Sequence, residues 1–338
     1  MSKVLVVFFL VSLLAAGQNP PGGATAAAGA HHPRWRKHKP TPPTPTESTG
    51  TSFSVDTCNP ADHFELLCAL PYTGRARQID QSCGHCGDAE RSTMSAQKIL
   101  AEEWQNFQKT NLCASGQPTA VTTSDFKELQ SLVDAIPGFE YGNPHAHGFG
   151  PPLDRSKLQS LPALSSGRTL HEGDLVTYVG YLVEEHYSPS SASSTGESVN
   201  CHFSDQPNVD IHVALSEKQI RVDTHAKAAV KDPILCGTAS AELIPHYRPE
   251  NWEFAQLEQV SDREVRVTGQ LFFDGSHHPC GPRHATSDPS RVASWEIHPI
   301  YDIEVCNNGS GHCDPARDSD WQSIDSALKQ PESLIEEQ

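Results

Sequence analysis

Two short strings in the chain place a carboxylate two residues before an imidazole. Asp210 and His212 do so in VDIHVAL (209–215), and Glu296 and His298 do so in SWEIHPIYDIEVC (294–306). Side chains at i and i+2 of a β-strand point to the same face of the sheet. Each string therefore presents an acid and a base side by side. Such groups can bind a divalent metal ion or act as general acid and base.

A third carboxylate, Glu242, lies in the weaker strand pattern GTASAELI (237–244). If that strand lies between the other two, all these side chains converge on one outward face. The sequence then predicts a divalent-metal site made of Asp210, His212, Glu242, Glu296 and His298. The alternative is that each side chain faces water, as strand alternation requires. The 18 histidines of the chain make chance pairs of this kind frequent.

The elements that must position these residues follow from hydrophobic periodicity between residues 170 and 306. Alternating or β-rich runs predict strands over 174–187, 209–215, 237–244, 264–274 and 294–306, and helical spacing predicts a helix over 251–260. This β-β-β-α-β-β order predicts a mainly β fold, an OB-like five-stranded Greek-key barrel with one helix. Gly180 and Gly269 would supply the bends that a small barrel needs. An unrelated β-sandwich is the competing fold.

A small helical unit, braced by disulfides, is predicted before the barrel, over residues 58–137. Ala96, Leu100, Trp104 and Phe107 share one helical face. A second helix is expected to begin near Asp125 and to end at Pro137-Gly138. The remaining segments are a Pro/Thr-rich linker (18–57), a Gly/Pro linker (138–169) and an acidic tail (307–338).

The first 17 residues have the order of a secretory signal peptide. One lysine precedes an apolar run from Val4 to Ala16, and small residues follow. The run is shorter than the roughly 20 residues of a membrane-spanning helix. The sequence therefore predicts a secreted or periplasmic protein with no stable membrane insertion after signal cleavage. An uncleaved N-terminal anchor is the alternative.

The chain holds ten cysteines, and an even number in an exported protein predicts disulfides. Five lie before residue 114 and five after residue 200, so either one disulfide joins the halves or each half keeps a free thiol. Cys83-Gly84-His85-Cys86 resembles the active-site tetrapeptide of disulfide isomerases. Because no thioredoxin-like strand precedes it, a structural disulfide is favoured over a thiol oxidoreductase site.

Charge excludes one large class of partner. The chain of 338 residues, about two domains by size, carries a formal net charge of −17. Residues 171–306 alone hold 21 Asp and Glu against 9 Lys and Arg. A surface of this sign repels phosphates, so no nucleic-acid partner is expected even for an OB-like barrel.

Several longer strings carry a resemblance to a known group of proteins. They are GESVNCHF (196–203), VDIHVAL, AELIPHYRP (241–249), VRVTGQLFFDGSH (265–277), SWEIHPIYDIEVC, QKTNLCASG (108–116) and SDFKELQ (124–130). Over residues 58–306 the chain resembles exported bacterial proteins with an OB-like domain. The resemblance implies the fold and the compartment, and it implies no activity.

The sequence therefore predicts an exported, non-catalytic binding or scaffold module without a cofactor, whose partner is an unknown extracytoplasmic ligand or protein. The alternative is a hydrolase that depends on a divalent metal bound at the five-residue site. The chain contains no G-x-S-x-G, no phosphate-binding glycine loop and no H-E-x-x-H motif.

Overall fold

The computed structural model describes residues 79, 82–89, 94–112, 114–142, 149–189, 196–223, 226–249, 252–281, 290–308 and 312–329. The predicted signal peptide, the Pro/Thr-rich linker and three cysteines (Cys58, Cys68, Cys113) lie outside these residues. Within them, no helix is long and apolar enough to cross a membrane.

The protein is mainly β, and five of its strands pair in a closed ring. They are β2 (Leu175–Ser188), β3 (Asp210–Ser216), β4 (Ala239–Leu243), β6 (Trp295–Cys306) and β5 (Val265–Phe273), which pairs back to β2. Only the pairing of β4 with β6 is parallel within this ring. Two three-residue strands lie beside it: β1 (Thr119–Val121) on β2 and β7 (Trp321–Ser323) on β6. The five predicted strands thus match β2 to β6 within a few residues.

The ring closes because one long strand serves two partners. The first part of β2 pairs with β5 up to Gly180, and the rest pairs with β3 from Tyr181 onward. A Cβ at position 180 would lie 2.3 Å from the carbonyl oxygen of Ser216, so only glycine permits this change of partner. In β5, Gly269 lies where the pairing with β6 shifts register, and a Cβ there would lie 2.4 Å from the carbonyl oxygen of Pro299.

Five α-helices accompany the strands in the described residues. They are α1 (Ala96–Lys109), α2 (Thr123–Asp134), α3 (Ala228–Leu235), α4 (Phe254–Glu258) and α5 (Ile324–Lys329). Helix α2 begins two residues earlier than predicted, because Thr122 is its N-cap and Asp125 completes a capping box at the third position. Helix α3, between β3 and β4, was missed by the periodicity argument because Pro233 interrupts its pattern.

The interior of the ring is apolar, as alternation predicts. Ile211, Val213 and Leu215 of β3 are buried there, together with residues such as Val267 and Ile297 from the opposite strands. Helix α2 adds Phe126 and Leu129 to the same core. The segment predicted as a Gly/Pro linker contributes to it as well, since Leu158, Leu161 and Leu164 are buried.

The outer face of β3, β4 and β6 is also buried, which the sequence alone did not indicate. Helix α1 lies across this face, and its residues bond to the strands and to the turn after β5. Gln105 Nε2 donates to Asp274 Oδ1 at 3.0 Å, and the carbonyl oxygen of Gln108 accepts from Gln270 Nε2 at 2.9 Å. Gln270 and Glu242 point away from the apolar core, and both meet residues of helix α1 rather than water.

Three disulfides are described: Cys83–Cys201, Cys236–Cys280 and Cys306–Cys313. The first joins the two halves of the chain. No cysteine among the described residues is free. Cys83 and Cys86 are bonded to other partners and not to each other, so they do not form a redox-active pair. Disulfides of this kind are consistent with an oxidising, extracytoplasmic compartment.

A buried ion pair fixes the segment before β2. Arg155 Nε donates to Glu172 Oε2 at 2.8 Å, and its Nη2 donates to Glu172 Oε1 and to the carbonyl oxygen of Phe273. Both side chains are at most 1% exposed. Removing one partner of such a pair leaves the other charge buried without compensation.

We expect Arg155→Met to lower the free energy of unfolding by about 3–5 kcal/mol. Guanidinium denaturation measures this change. Arg317→Met is the matched control, because Arg317 pairs with Asp320 on the surface and is 61% exposed, so its loss is expected to cost under about 1 kcal/mol. Equal effects of the two substitutions would contradict the assignment.

A disulfide that closes a longer loop is expected to stabilise the protein more than one that closes a shorter loop. Cys236–Cys280 spans 44 residues and Cys306–Cys313 spans 7. The chain-entropy relation gives about 4 kcal/mol for the first and about 2.5 kcal/mol for the second. Paired Cys→Ser variants, compared by thermal and denaturant unfolding, test this order. The reverse order would show that local contacts, not loop closure, dominate.

Candidate metal centre

Strand register brings the predicted site residues together around Glu242. On one side, His212 of β3 is the residue directly opposite Glu242 of β4. On the other side, β4 runs parallel to β6, with Ser240 opposite Glu296. Two residues further along this pair, Glu242 reaches His298. The middle strand thus places one carboxylate between two imidazoles.

The two oxygens of Glu242 face different histidines. Oε1 lies 3.4 Å from His212 Nε2, and Oε2 lies 2.9 Å from His298 Nδ1. His298 Nδ1 also lies 3.4 Å from Glu296 Oε1. Two sets of potential ligands result, each with its ligand atoms within 4.8 Å of one another. We call Asp210, Glu242 and His298 the inner triad, and Glu197, His212 and Glu242 the outer triad.

A third grouping with suitable residue types carries no site. Glu264 lies near Cys306 and Cys313, and their ligand atoms are also within 4.8 Å of one another. These two cysteines are bonded to each other. A disulfide sulfur is not the thiolate that binds metal ions.

The inner triad is enclosed by protein. Asp210, Glu296 and His298 have no exposed surface, and Glu242 is 3% exposed. Two of their polar atoms, Asp210 Oδ1 and His298 Nε2, have no hydrogen-bond partner among the described residues. Glu242 Oε2 and Glu296 Oε1 share the single contact to His298 Nδ1, at 2.9 and 3.4 Å. A buried polar group without a partner costs about 1–3 kcal/mol. A bound cation would satisfy several of these atoms at once.

The other oxygen of Asp210 is held in place. Asn200 Nδ2 donates to Asp210 Oδ2 at 3.0 Å. Asn200 lies in the loop just before Cys201, which the disulfide to Cys83 fixes. The unpartnered Oδ1 therefore has a defined orientation. Such supporting contacts are typical of metal ligands.

The wider cluster carries more negative than positive fixed charge. Lys109 Nζ lies 3.1 Å from Glu197 and 3.8 Å from Glu242. Arg291 donates to Asp274 at 2.6 Å and to Glu296 at 2.7 Å. In this described cluster, five carboxylates (Glu197, Asp210, Glu242, Asp274, Glu296) face two fixed cations, a formal excess of three negative charges.

This excess shifts the pKa values of the groups around it. Burial alone would lower the pKa of His298, but the charge of Glu242 raises it to about 9. Burial likewise opposes the charged form of His212, while Glu242 and Glu197 raise its pKa to about 10. Burial and the nearby Glu197 and Glu242 raise the pKa of Asp210 to about 7. Without a metal ion, protons therefore compensate the cluster.

A cavity of about 460 Å³ adjoins two residues of the outer triad, His212 and Glu242. His186, Glu184 and Lys231 also line this cavity. The His186 ring lies 5.2 Å from the His212 ring, and Lys231 Nζ lies 3.0 Å from Glu184 Oε1. His212 is 17% exposed, whereas His298 is fully covered. The outer triad is thus the part of the cluster that a solute in the cavity can meet.

Sequence reasoning brought five residues to one face and missed three that complete the cluster. Glu197 lies at the end of a Ser-rich loop, Lys109 belongs to the polar part of a helix, and Arg291 precedes β6. None of them follows a strand pattern. Asp274 belongs to the cluster through Arg291, and its Oδ2 also lies 2.8 Å from Nδ1 of the part-exposed His277. His278 lies elsewhere, with its ring 4.7 Å from that of Tyr141.

The chain matches no family model, no curated protein and no solved structure with significance. The resemblance to exported bacterial proteins with an OB-like domain therefore stays a prediction. Function has to be argued from the geometry of the cluster.

Proposed function

We propose that this protein is an exported metal-binding module, in which the inner triad of Asp210, Glu242 and His298 binds one divalent cation. The observation that carries the proposal is that the ligand atoms of these buried residues lie within 4.8 Å of one another, while Asp210 Oδ1 and His298 Nε2 have no hydrogen-bond partner among the described residues. Two carboxylates and one imidazole are ligands for Zn²⁺ and Mn²⁺.

The burial of the inner triad supports a structural rather than a catalytic ion. Catalytic metal ions keep a coordination position open to water or substrate, while structural ions are closed off by protein. All three inner ligands are at most 3% exposed. An ion there would join strands β3, β4 and β6 on the face that helix α1 covers. It would stabilise the fold, as any ligand that binds only the folded state does.

The proposal includes the finer fold and the compartment. The ring order β2-β3-β4-β6-β5, with helix α4 between β4 and β5, supports an OB-like Greek-key barrel. The signal-like N-terminus and the disulfides support a secreted or periplasmic location. The acidic surface argues against a nucleic-acid partner, and an extracytoplasmic ligand or protein remains the proposed partner.

A metal-dependent hydrolase is the second candidate. The observation in its favour is the cavity that His212 and Glu242 of the outer triad help to line. A hydrolytic ion would need a water molecule that exchanges with this cavity. The two candidates thus differ in which triad holds the ion and in whether the ion meets the cavity.

We expect the purified protein to contain about one equivalent of a divalent metal by elemental analysis. Protein unfolded in guanidinium and EDTA with its disulfides intact, then refolded with Zn²⁺ or Mn²⁺, should be more stable than protein refolded without them. The gain is about 2.7 kcal/mol when the free ion is at 100 times its dissociation constant. Metal-free protein that gains no stability would contradict the proposal.

The ligand variants Glu242→Gln and Asp210→Asn should abolish this gain, and using both guards against a folding failure in one. Glu185→Gln is the matched control. Glu185 is a fully buried carboxylate on β2, but it pairs with Arg221 at 2.7 Å outside the cluster. This control should keep the full metal-dependent gain. Loss of the gain in the control alone would place the ion elsewhere.

The hydrolase candidate is tested with p-nitrophenyl acetate and p-nitrophenyl phosphate. We expect the metal-loaded protein to show no hydrolysis above the same concentration of free ion, because the inner triad is closed. Metal-dependent turnover that His212→Ala abolishes together with the bound ion would establish the hydrolase instead, because His212 is a ligand of the outer triad. His186→Ala is the control for the cavity wall.

A further inference from the structure

We propose that the cluster has two cation positions joined by Glu242, and that the ammonium of Lys109 is the resident cation of the outer one. The inference rests on the proposed metal site in the inner triad and adds its stoichiometry. One position takes a metal ion and the other is filled by the protein itself.

The ligands are arranged in two matching halves. Glu242 turns Oε1 to His212 at 3.4 Å and Oε2 to His298 at 2.9 Å. Each half adds one further carboxylate, Glu197 on the outer side and Asp210 on the inner side. One imidazole, one terminal carboxylate and one shared carboxylate on each side is a ligand set suited to two cations.

Lys109 supplies the positive charge of the outer half. Its Nζ lies 3.1 Å from Oε2 of Glu197, the carboxylate that only the outer triad contains. It lies 3.8 Å from Oε2 of Glu242, the oxygen of the shared carboxylate that also faces His298. The side chain is only 7% exposed. Lys109 is the last residue of helix α1, and Asn106 fixes this end through bonds to Cys86 and Ser198 at 3.0 and 3.1 Å. These contacts fix the backbone that carries Lys109, so its ammonium has a defined position beside Glu197.

The two halves differ in how many of their polar atoms have hydrogen-bond partners. In the outer half, Glu197 Oε1 accepts from Ser188 at 2.7 Å and meets His212 at 3.1 Å, while Oε2 meets Lys109. In the inner half, Glu242 Oε2 lies 2.9 Å from His298 Nδ1, but Asp210 Oδ1 and His298 Nε2 have no hydrogen-bond partner among the described residues. The direct hydrogen bond that Lys109 donates to Glu197 in the outer half thus has no counterpart at Asp210 Oδ1 in the inner half.

A lysine in the outer position has a functional consequence. An ammonium neutralises carboxylates without offering a coordination position to a water molecule. The outer half lies at the cavity, so a metal ion there would be open to solutes. By filling that position, Lys109 would restrict metal binding to the enclosed inner half and keep the module to one ion per chain.

The test counts Mn²⁺ ions bound to protein refolded with this ion, by elemental analysis and by electron paramagnetic resonance. We expect one isolated Mn²⁺ in the wild type. Lys109→Met removes the ammonium and should admit a second ion, which gives two Mn²⁺ per chain and the spectrum of a spin-coupled pair. Lys109→Met combined with His212→Ala should return to one.

Two further variants keep the result interpretable. Lys231→Met is the matched control, since Lys231 pairs with Glu184 at the cavity but touches neither triad; it should bind one ion. His212→Ala alone should also keep one ion, with an affinity within about threefold of the wild type. This variant still tests the inference if Lys109→Met does not fold.

The outcomes separate this inference from the proposed function. One ion in both the wild type and a folded Lys109→Met would overturn the outer position and leave the inner site intact. Two ions in the wild type, reduced to one by His212→Ala, would show that a metal displaces Lys109. No bound ion in the wild type would overturn the proposed metal site, and this inference with it.

Discussion

The contact of one carboxylate with two imidazoles organises the polar side of this protein. Glu242 lies on the middle strand of a buried face, between His212 and His298. Taking a charge out of water costs several kcal/mol unless other charges and hydrogen bonds compensate it. Burial and the surrounding cations together leave the pKa of Glu242 at about 2, so this group stays charged. His212, Lys109 and His298 compensate that charge.

Helix α1 and the loop around Cys201, which the disulfide to Cys83 holds, contribute to that burial. Helix α1 brings Lys109 to the cluster, and the loop around Cys201 brings Glu197 and Asn200. The helix is distant in sequence from the strands, whereas the loop lies shortly before β3. The same contacts that close the fold therefore assemble the site, and the stability of the fold and the occupancy of the site are linked.

The two halves of the cluster differ in their access to solutes. Both halves share Glu242 and contain one histidine, but only the outer half meets the cavity. In the proposed arrangement the exposed half holds a lysine, and the enclosed half holds the ion. A closed ion contributes stability, whereas an open one exchanges water and acts on substrates.

The sequence by itself determined the five main strands, the breaks at Gly180 and Gly269, and the shared face of Asp210, His212, Glu242, Glu296 and His298. These features depend on alternation and on glycine, which are local properties. Only the tertiary structure decided that this face is buried and which cations compensate the charge of its carboxylates. Lys109 reaches it through the packing of a helix that is distant in sequence, and Arg291 reaches it from the segment before β6. No periodicity within a strand records such contacts.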